Sequence, residues 1–227
     1  MNDEIISEVT AGDGVKAEKF KKFCEYLLSE NKKFNITAIT DTDGVYLKHF
    51  LDSLCGKVFF ESGKKVLEIG SGGGFPSVPL KINDESLDFT LVEASAKKCA
   101  FLNSVKELLG FSAFKVENAR AEDFAKNNRE EFDFVTARAV ANSPVLCELT
   151  LPCLKTGGKG VFYKNFSETE ITDAERAAKK LNCELIEVHR YELPEVPGER
   201  CIIVVQKKAE CPAVYPRPYN KILKKPL

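Results

Sequence analysis

From Lys64 onward, short apolar runs alternate with helical stretches, and this order constrains the fold more than any other feature of the chain. "KKVLEIG" (64–70), "LDFTLVEA" (87–94), "AFKVEN" (113–118), "EFDFVTARA" (131–139) and "GGKGVFYK" (157–164) read as strands. Helical segments lie between them. "FPSVPLKI" opens one with Pro76 in its first turn, and "SAKKCAFLNSVKELLG" runs from a Ser95 cap to a Gly110 stop. "AEDFAKN", "SPVLCELTLPCL" and "SETEITDAERAAKKLN" continue the pattern. Such alternation predicts a mostly parallel sheet with helices on both faces. The ending breaks it, because "CELIEVHRYEL" and "ERCIIVVQKK" are separated only by "PEVPG". That loop is too short for a parallel crossover, so an antiparallel hairpin is expected to complete seven strands.

Upstream, Phe20, Phe23, Cys24, Leu27, Leu28 and Phe34 fall at spacings of three, four and seven, which predicts an amphipathic helix over 15–34. A second helix is expected over 43–55, joined to the first by "NITAITD". The expected organisation is a helical extension (1–60) packed on a core domain (61–208), followed by a basic tail (209–227). From Cys201 to Leu227 there are six basic residues against one acid, Glu210.

Composition narrows the class. Apolar residues make up 44% and charged residues 30%, and no window approaches the roughly 18 apolar residues of a membrane span. The acidic start "MNDEIISEVTAGDG" lacks the layout of a signal peptide, so a cytoplasmic location is expected; a monomer is the default expectation, which no feature of the sequence sets. Eight scattered cysteines with no C-x-x-C pair predict buried, reduced thiols and no metal site. A formal net charge of −1 gives no overall nucleic-acid signature.

The functional question centres on "VLEIGSGGGFPSVPL" (66–80), a glycine-dense turn between a strand and a helix. In an open α/β sheet, ligands bind beyond the carboxyl ends of the strands, and glycines let backbone approach them. A triphosphate loop needs a lysine after its last glycine, whereas here Phe75-Pro76 follow. A dinucleotide fingerprint needs a third glycine where Phe75 stands. The E-x-G-x-G-x-G spacing from Glu68 through Gly70, Gly72 and Gly74 instead resembles the first motif of class I S-adenosylmethionine-dependent methyltransferases. Glu93 ends the second strand, where a carboxylate can accept bonds from ribose hydroxyls. Ala121 and Glu122 follow the third strand, on the side where this fold class holds adenine. Arg138 ends the fourth strand beside the expected reactive methyl, and its charge requires a partner, such as a cofactor carboxylate or a substrate phosphate.

Several segments together resemble one family, the bacterial small-subunit rRNA methyltransferase G family (RsmG, also called GidB). They are "NITAITD", "HFLDSL" (49–54), the glycine turn, "LVEASAKKCAFL" (91–102), "ARAEDFA" (119–125), "FDFVTARAVA" (132–141) and "YPRPYNKILKKPL" (215–227). The resemblance implies a Rossmann-like class I methyltransferase that uses S-adenosylmethionine to methylate N7 of guanine 527 in 16S rRNA. It places cofactor contacts on Gly70, Phe75, Ala121, Glu122 and Arg138, and puts His49, Asp52 and Ser53 at the mouth of the site. A hydrolase triad of those three is excluded, since neighbours on one helix face cannot form the nucleophile–base–orienter line. Arg217, Lys221, Lys224 and Lys225 are then expected on rRNA phosphates, with Lys164 a further candidate. Ser77 stands where the family commonly has glycine, Glu93 where aspartate is usual, and Asn220 and Ile222 where glycine and proline are found. Ile222 is expected to loosen the tail. A methyltransferase of another substrate, or a non-catalytic RNA-binding protein of this fold, are the alternative readings.

Overall fold

Seven strands form one sheet in the computed structural model, which describes residues 3–227. In chain order the elements are α1 (Asp3–Thr10), α2 (Gly14–Asn31), α3 (Thr42–Val45), a π-helical segment (Tyr46–Leu51), α4 (Asp52–Leu54), β1 (Lys65–Ile69), α5 (Ser77–Asn83), β2 (Asp88–Glu93), α6 (Ala96–Leu109) and β3 (Phe114–Asn118). Then follow α7 (Ala121–Asn127), β4 (Phe132–Arg138), α8 (Ser143–Thr150), β5 (Leu154–Asn165), α9 (Glu168–Lys180), β6 (Cys183–Leu193), β7 (Val196–Lys207) and α10 (Tyr219–Lys224).

The strand order is β3-β2-β1-β4-β5-β7-β6, and β7 runs antiparallel to both β5 and β6. The expected mixed sheet is therefore present, and its order reverses between β1 and β4. A crevice at that reversal is where this architecture receives ligands. The hairpin is tighter than "PEVPG" suggested. Leu193 pairs with Val196, so only Pro194 and Glu195 lie between the strands. Proline pre-sets the first turn residue and Glu195 takes φ 58°, the left-handed value such a turn demands of its second. Pro76 is also displaced by one position: it caps α5 from outside, joined to Phe75 by a cis peptide bond.

Strands buried on both faces read as continuous apolar runs, and β1 shows why. Val66 packs with Phe20, Phe23, Leu27 and Phe50 of the N-terminal helices, while Leu67 and Ile69 join Val135, Leu146 and Ala177 on the other face. The N-terminal helices thus cover one face of the sheet within a shared core. α1, which the residue spacing had not suggested, adds buried Ile5 and Val9 to it. All eight cysteines are free thiols and seven are buried.

The basic tail is bound down. Arg129 donates to the carbonyls of Cys211 (2.6 Å) and Tyr215 (2.5 Å). Arg217 grips the fully buried Glu148 through Nε (2.8 Å), Nη2 (2.6 Å) and its own N–H (2.9 Å). Ile222, expected to loosen this segment, pins it instead. Its side chain is fully buried against Val145 and Leu149, and burial of that size stabilises by about 2 kcal/mol. Replacing Arg217 with Lys keeps the charge but loses the planar fork, and a drop of about 1–2 kcal/mol in unfolding free energy is expected from denaturant titration. An unchanged midpoint would show that the fork does not hold the tail.

Candidate functional site

The glycine loop is shaped by its own steric limits. Gly70, Gly72 and Gly74 have φ of 68°, 52° and 84°. A Cβ on Gly70 would meet Val140 at 2.8 Å, and one on Gly74 would meet Val78 at 2.6 Å. At Gly72 the nearest atom is the Gly70 oxygen at 3.8 Å, so the space above the loop is open. Glu93 fastens this loop to β2: Oε2 accepts the Gly72 N–H at 2.9 Å and Oε1 the Ser95 N–H at 2.8 Å. Both oxygens keep a lone pair for further donors.

Beneath the loop, Glu68 is fully buried. Its Oε2 accepts the Ser77 N–H at 3.2 Å, while Oε1 has no hydrogen-bond partner among the described residues. Burial pushes this carboxyl up to about 8, the Ser77 side chain and N–H opposing only in part, so the neutral acid is favoured at pH 7.

The crevice holds three adjoining cavities. The largest, about 420 Å³, is bounded by Gly70–Gly73, Phe75, His49, Asp52, Arg138 and Arg200. A smaller one of about 130 Å³ lies on the far side of Gly70, between Glu93, Ala121 and Glu122. The third, about 180 Å³, opens past Arg138 toward Lys164, Asn165 and Tyr191. Gly74 borders none of them and serves the turn itself.

Arg138 finds its partner inside the protein. Its Nη1 donates to Asp52 Oδ2 at 2.7 Å and to the Lys48 carbonyl at 3.0 Å. Its Nη2 meets His49 Nδ1 at 2.9 Å. Asp52, 1% exposed, also receives the Tyr191 hydroxyl at 2.8 Å and Arg200 at 3.4 Å. Arginine only donates, so His49 Nδ1 must accept and Nε2–H donates to the Thr37 hydroxyl at 2.7 Å. The His49 ring stacks on Phe75 with centroids 4.3 Å apart. The carrier of His49 is the π-helical turn, buried on nearly every side, where the sequence suggested a regular helix.

Burial, reinforced by the Arg138 cation, lowers the His49 pKa to about 3. An unfolded imidazole takes up a proton near pH ~6.5, whereas the folded one resists until about 3, so stability is lost as pH falls between those values. His49→Asn is expected to flatten the melting temperature against pH between 6.5 and 4 relative to wild type. Parallel curves would refute the buried neutral imidazole.

The structure brings Gly70, Gly72, Phe75, Glu93, Ala121, Glu122, Arg138, His49 and Asp52 together around these cavities. Ser53 is set apart: it is fully buried and its hydroxyl donates to the His49 carbonyl at 2.6 Å, away from the expected mouth. Lys164 borders the third cavity but pairs with Glu170 at 2.9 Å and donates to the Ala141 carbonyl at 2.5 Å. Arg217 is taken by Glu148, while Lys224 and Lys225 are exposed. Sequence reasoning missed Thr37, Tyr191, Arg200 and Tyr219. Thr37 sits within "NITAITD", which carried a signal without a role, and the others lie in segments read only as hairpin or tail.

The sheet order, the glycine loop at its reversal and an acidic residue ending β2 define a Rossmann-like S-adenosylmethionine-dependent methyltransferase. Solved structures share this fold: precorrin-6y C5,15-methyltransferase from Geobacter metallireducens (TM-score 0.57, 14% identity, 78% of this chain and 96% of that one) and TYW2 from P. horikoshii in complex with MeSAdo (TM-score 0.55, 13% identity, 68% and 61%). Residues 16–197 match the family described as rRNA small subunit methyltransferase G (GidB). Relatives carrying the name "Ribosomal RNA small subunit methyltransferase G" are 41% identical in Exiguobacterium sibiricum, over the whole of both chains, and 42% identical in Streptococcus uberis, over 92% of this chain and 91% of that one. The chain belongs to this methyltransferase family, and its cofactor is S-adenosylmethionine.

Proposed function

We propose that this enzyme methylates N7 of guanine 527 in 16S rRNA, acting as a monomer in the cytoplasm. The observation that carries the choice of atom is the saturated polar hub beside the loop. His49 uses both ring nitrogens, Asp52 accepts from three side chains, and Arg138 cannot take a proton. Methylating an exocyclic amine or a hydroxyl requires removing a proton, whereas guanine N7 already presents a lone pair. A larger cavity whose His49 and Asp52 are both already engaged suits N7 and works by positioning.

In this reading the adenosine half of the cofactor lies in the smaller cavity, with Glu93 toward the ribose and Ala121 and Glu122 toward the base. The Arg120 cap makes no side-chain bond to the first turn of α7, which leaves the backbone donors of that turn available to the base edge. The methionine half crosses the glycine loop into the larger cavity. When bound, the cofactor supplies an electrophilic methyl group. Arg138, held by Asp52, sets the floor on which guanine is aligned, and Phe75 and His49 exclude water from one side. Exposed Lys221, Lys224 and Lys225 offer phosphate contacts; Arg217 and Lys164, already paired, serve by holding the tail and β5 in place.

Mass spectrometry of 16S rRNA from cells lacking this gene tests the assignment. N7-methylguanosine at position 527 is expected to vanish and to return when the chain is supplied again. A modification that persists without the gene overturns the substrate. Elution of the purified protein as a dimer in size-exclusion chromatography would overturn the monomer.

A further inference from the structure

We propose that Tyr219, on α10, forms the outer wall of the base pocket and packs its ring against the adenine of the cofactor. This rests on the placement of the adenosine half between Glu93 and Ala121 given above.

The small cavity is bounded from within by Gly70, Val92 and Glu93 and from the side by Ala121 and Val140, none of them aromatic. Tyr219 is the single aromatic ring among the described residues that border it. A purine offers two large π-faces, and a flat ring on one of them is the usual means of holding a base without reading its edge. The ring of Tyr219 is disengaged from the protein's own core. It stays 39% exposed and, among the described residues, belongs to no apolar cluster and pairs with no other aromatic ring. An exposed ring over a narrow, partly apolar cavity is a contact waiting for a flat partner.

The position of the ring is fixed from below. Three residues on, Ile222 is buried against Val145 and Leu149, and Leu149 itself borders the cavity. Just before the helix, the Arg217–Glu148 clasp ties the same segment to α8. These anchors hold a helix of six residues that would not persist alone. The tail therefore contributes to the cofactor site as well as offering lysines to RNA.

The chain contains no tryptophan, so Tyr219→Trp places a single reporter at the wall. S-adenosylhomocysteine is titrated into the intact protein, without RNA, by calorimetry and by fluorescence. Tyr219→Ala is expected to weaken binding about tenfold and Tyr219→Phe to stay within about twofold of wild type, since the ring carries the contact. The Tyr219→Trp emission is expected to change with ligand and to give the calorimetric Kd. Wild-type affinity in Tyr219→Ala, together with a flat emission at saturation, overturns the proposal. Ala121→Phe, which fills the pocket, separates the two layers of inference. Lost binding there beside silent Tyr219 variants refutes only the wall, while a silent Ala121→Phe removes the base from this cavity altogether and both readings fall.

Discussion

Gly72→Asp is expected to weaken S-adenosylmethionine binding at least about a hundredfold, some 2.7 kcal/mol, while the protein stays folded. The two effects separate because of what surrounds this one residue. A Cβ here has its nearest neighbour at 3.8 Å, so nothing in the protein needs to move. The backbone sits at φ 52°, a strain of about 1–2 kcal/mol that Asp and Asn bear better than other residues. The new side chain points into the open space above the loop. It also brings a second carboxylate toward Glu93, whose Oε2 already holds the Gly72 N–H. Gly70→Ala and Gly74→Ala make the control, since their Cβ atoms would collide with Val140 and Val78 and the cost falls on stability. Calorimetric titration and a thermal melt on the same preparation read both quantities. Near-native affinity in Gly72→Asp would mean that the cofactor does not cross this loop.

The second large effect belongs to Asp52. This carboxylate is 1% exposed and gathers Arg138, Arg200 and Tyr191 from β4, β7 and β6. Removing one partner of a buried ion pair leaves the other charge uncompensated, which costs about 3–5 kcal/mol. Asp52→Ala strands Arg138 beside a neutral imidazole and leaves the Tyr191 hydroxyl without its acceptor. At roughly 2–4 °C per kcal/mol for a chain of this size, the melting temperature should fall by on the order of 10 °C. Methyl transfer is expected to fall as well, because Arg138 loses the hold that fixes its guanidinium. Asp52→Asn keeps the shape and should recover part of the stability. A melt within about 2 °C of wild type for Asp52→Ala would show that the hub is not a support of the fold.

The fold was legible where physics is local. Alternating apolar runs announced the parallel sheet, and the short interval after Leu193 announced its antiparallel end. Ser95 and Gly110 mark the ends of α6, where an oxygen cap and a left-handed residue are cheapest. The glycine loop was legible as well, because positive φ and close approach both demand glycine. The polar hub was not. Arg138, Tyr191 and Arg200 meet because the sheet order brings their strands to one side of the crevice, where α4 supplies Asp52, and no spacing in the chain encodes that. Charge likewise announces that Arg217 and Lys164 need partners but does not name Glu148 or Glu170. The π-helical turn left no mark, since its apolar residues fit an ordinary helix equally well. Ile222 misled because a proline's absence suggests freedom, whereas the side chain present found a pocket to fill.

Phe75, at the end of the glycine loop, packs on Phe23 of α2 at 5.5 Å as well as on His49. The loop is therefore shaped partly by residues that precede the sheet, and the helices before it are no detachable module. A protein engineer who excised residues 61–208 to transplant the catalytic unit would leave Phe75 facing water and the loop without its backing. Exchanging the helical segment between relatives would retune the cofactor site along with whatever substrate preference was sought. In this architecture, recombination at the apparent domain boundary alters both halves at once.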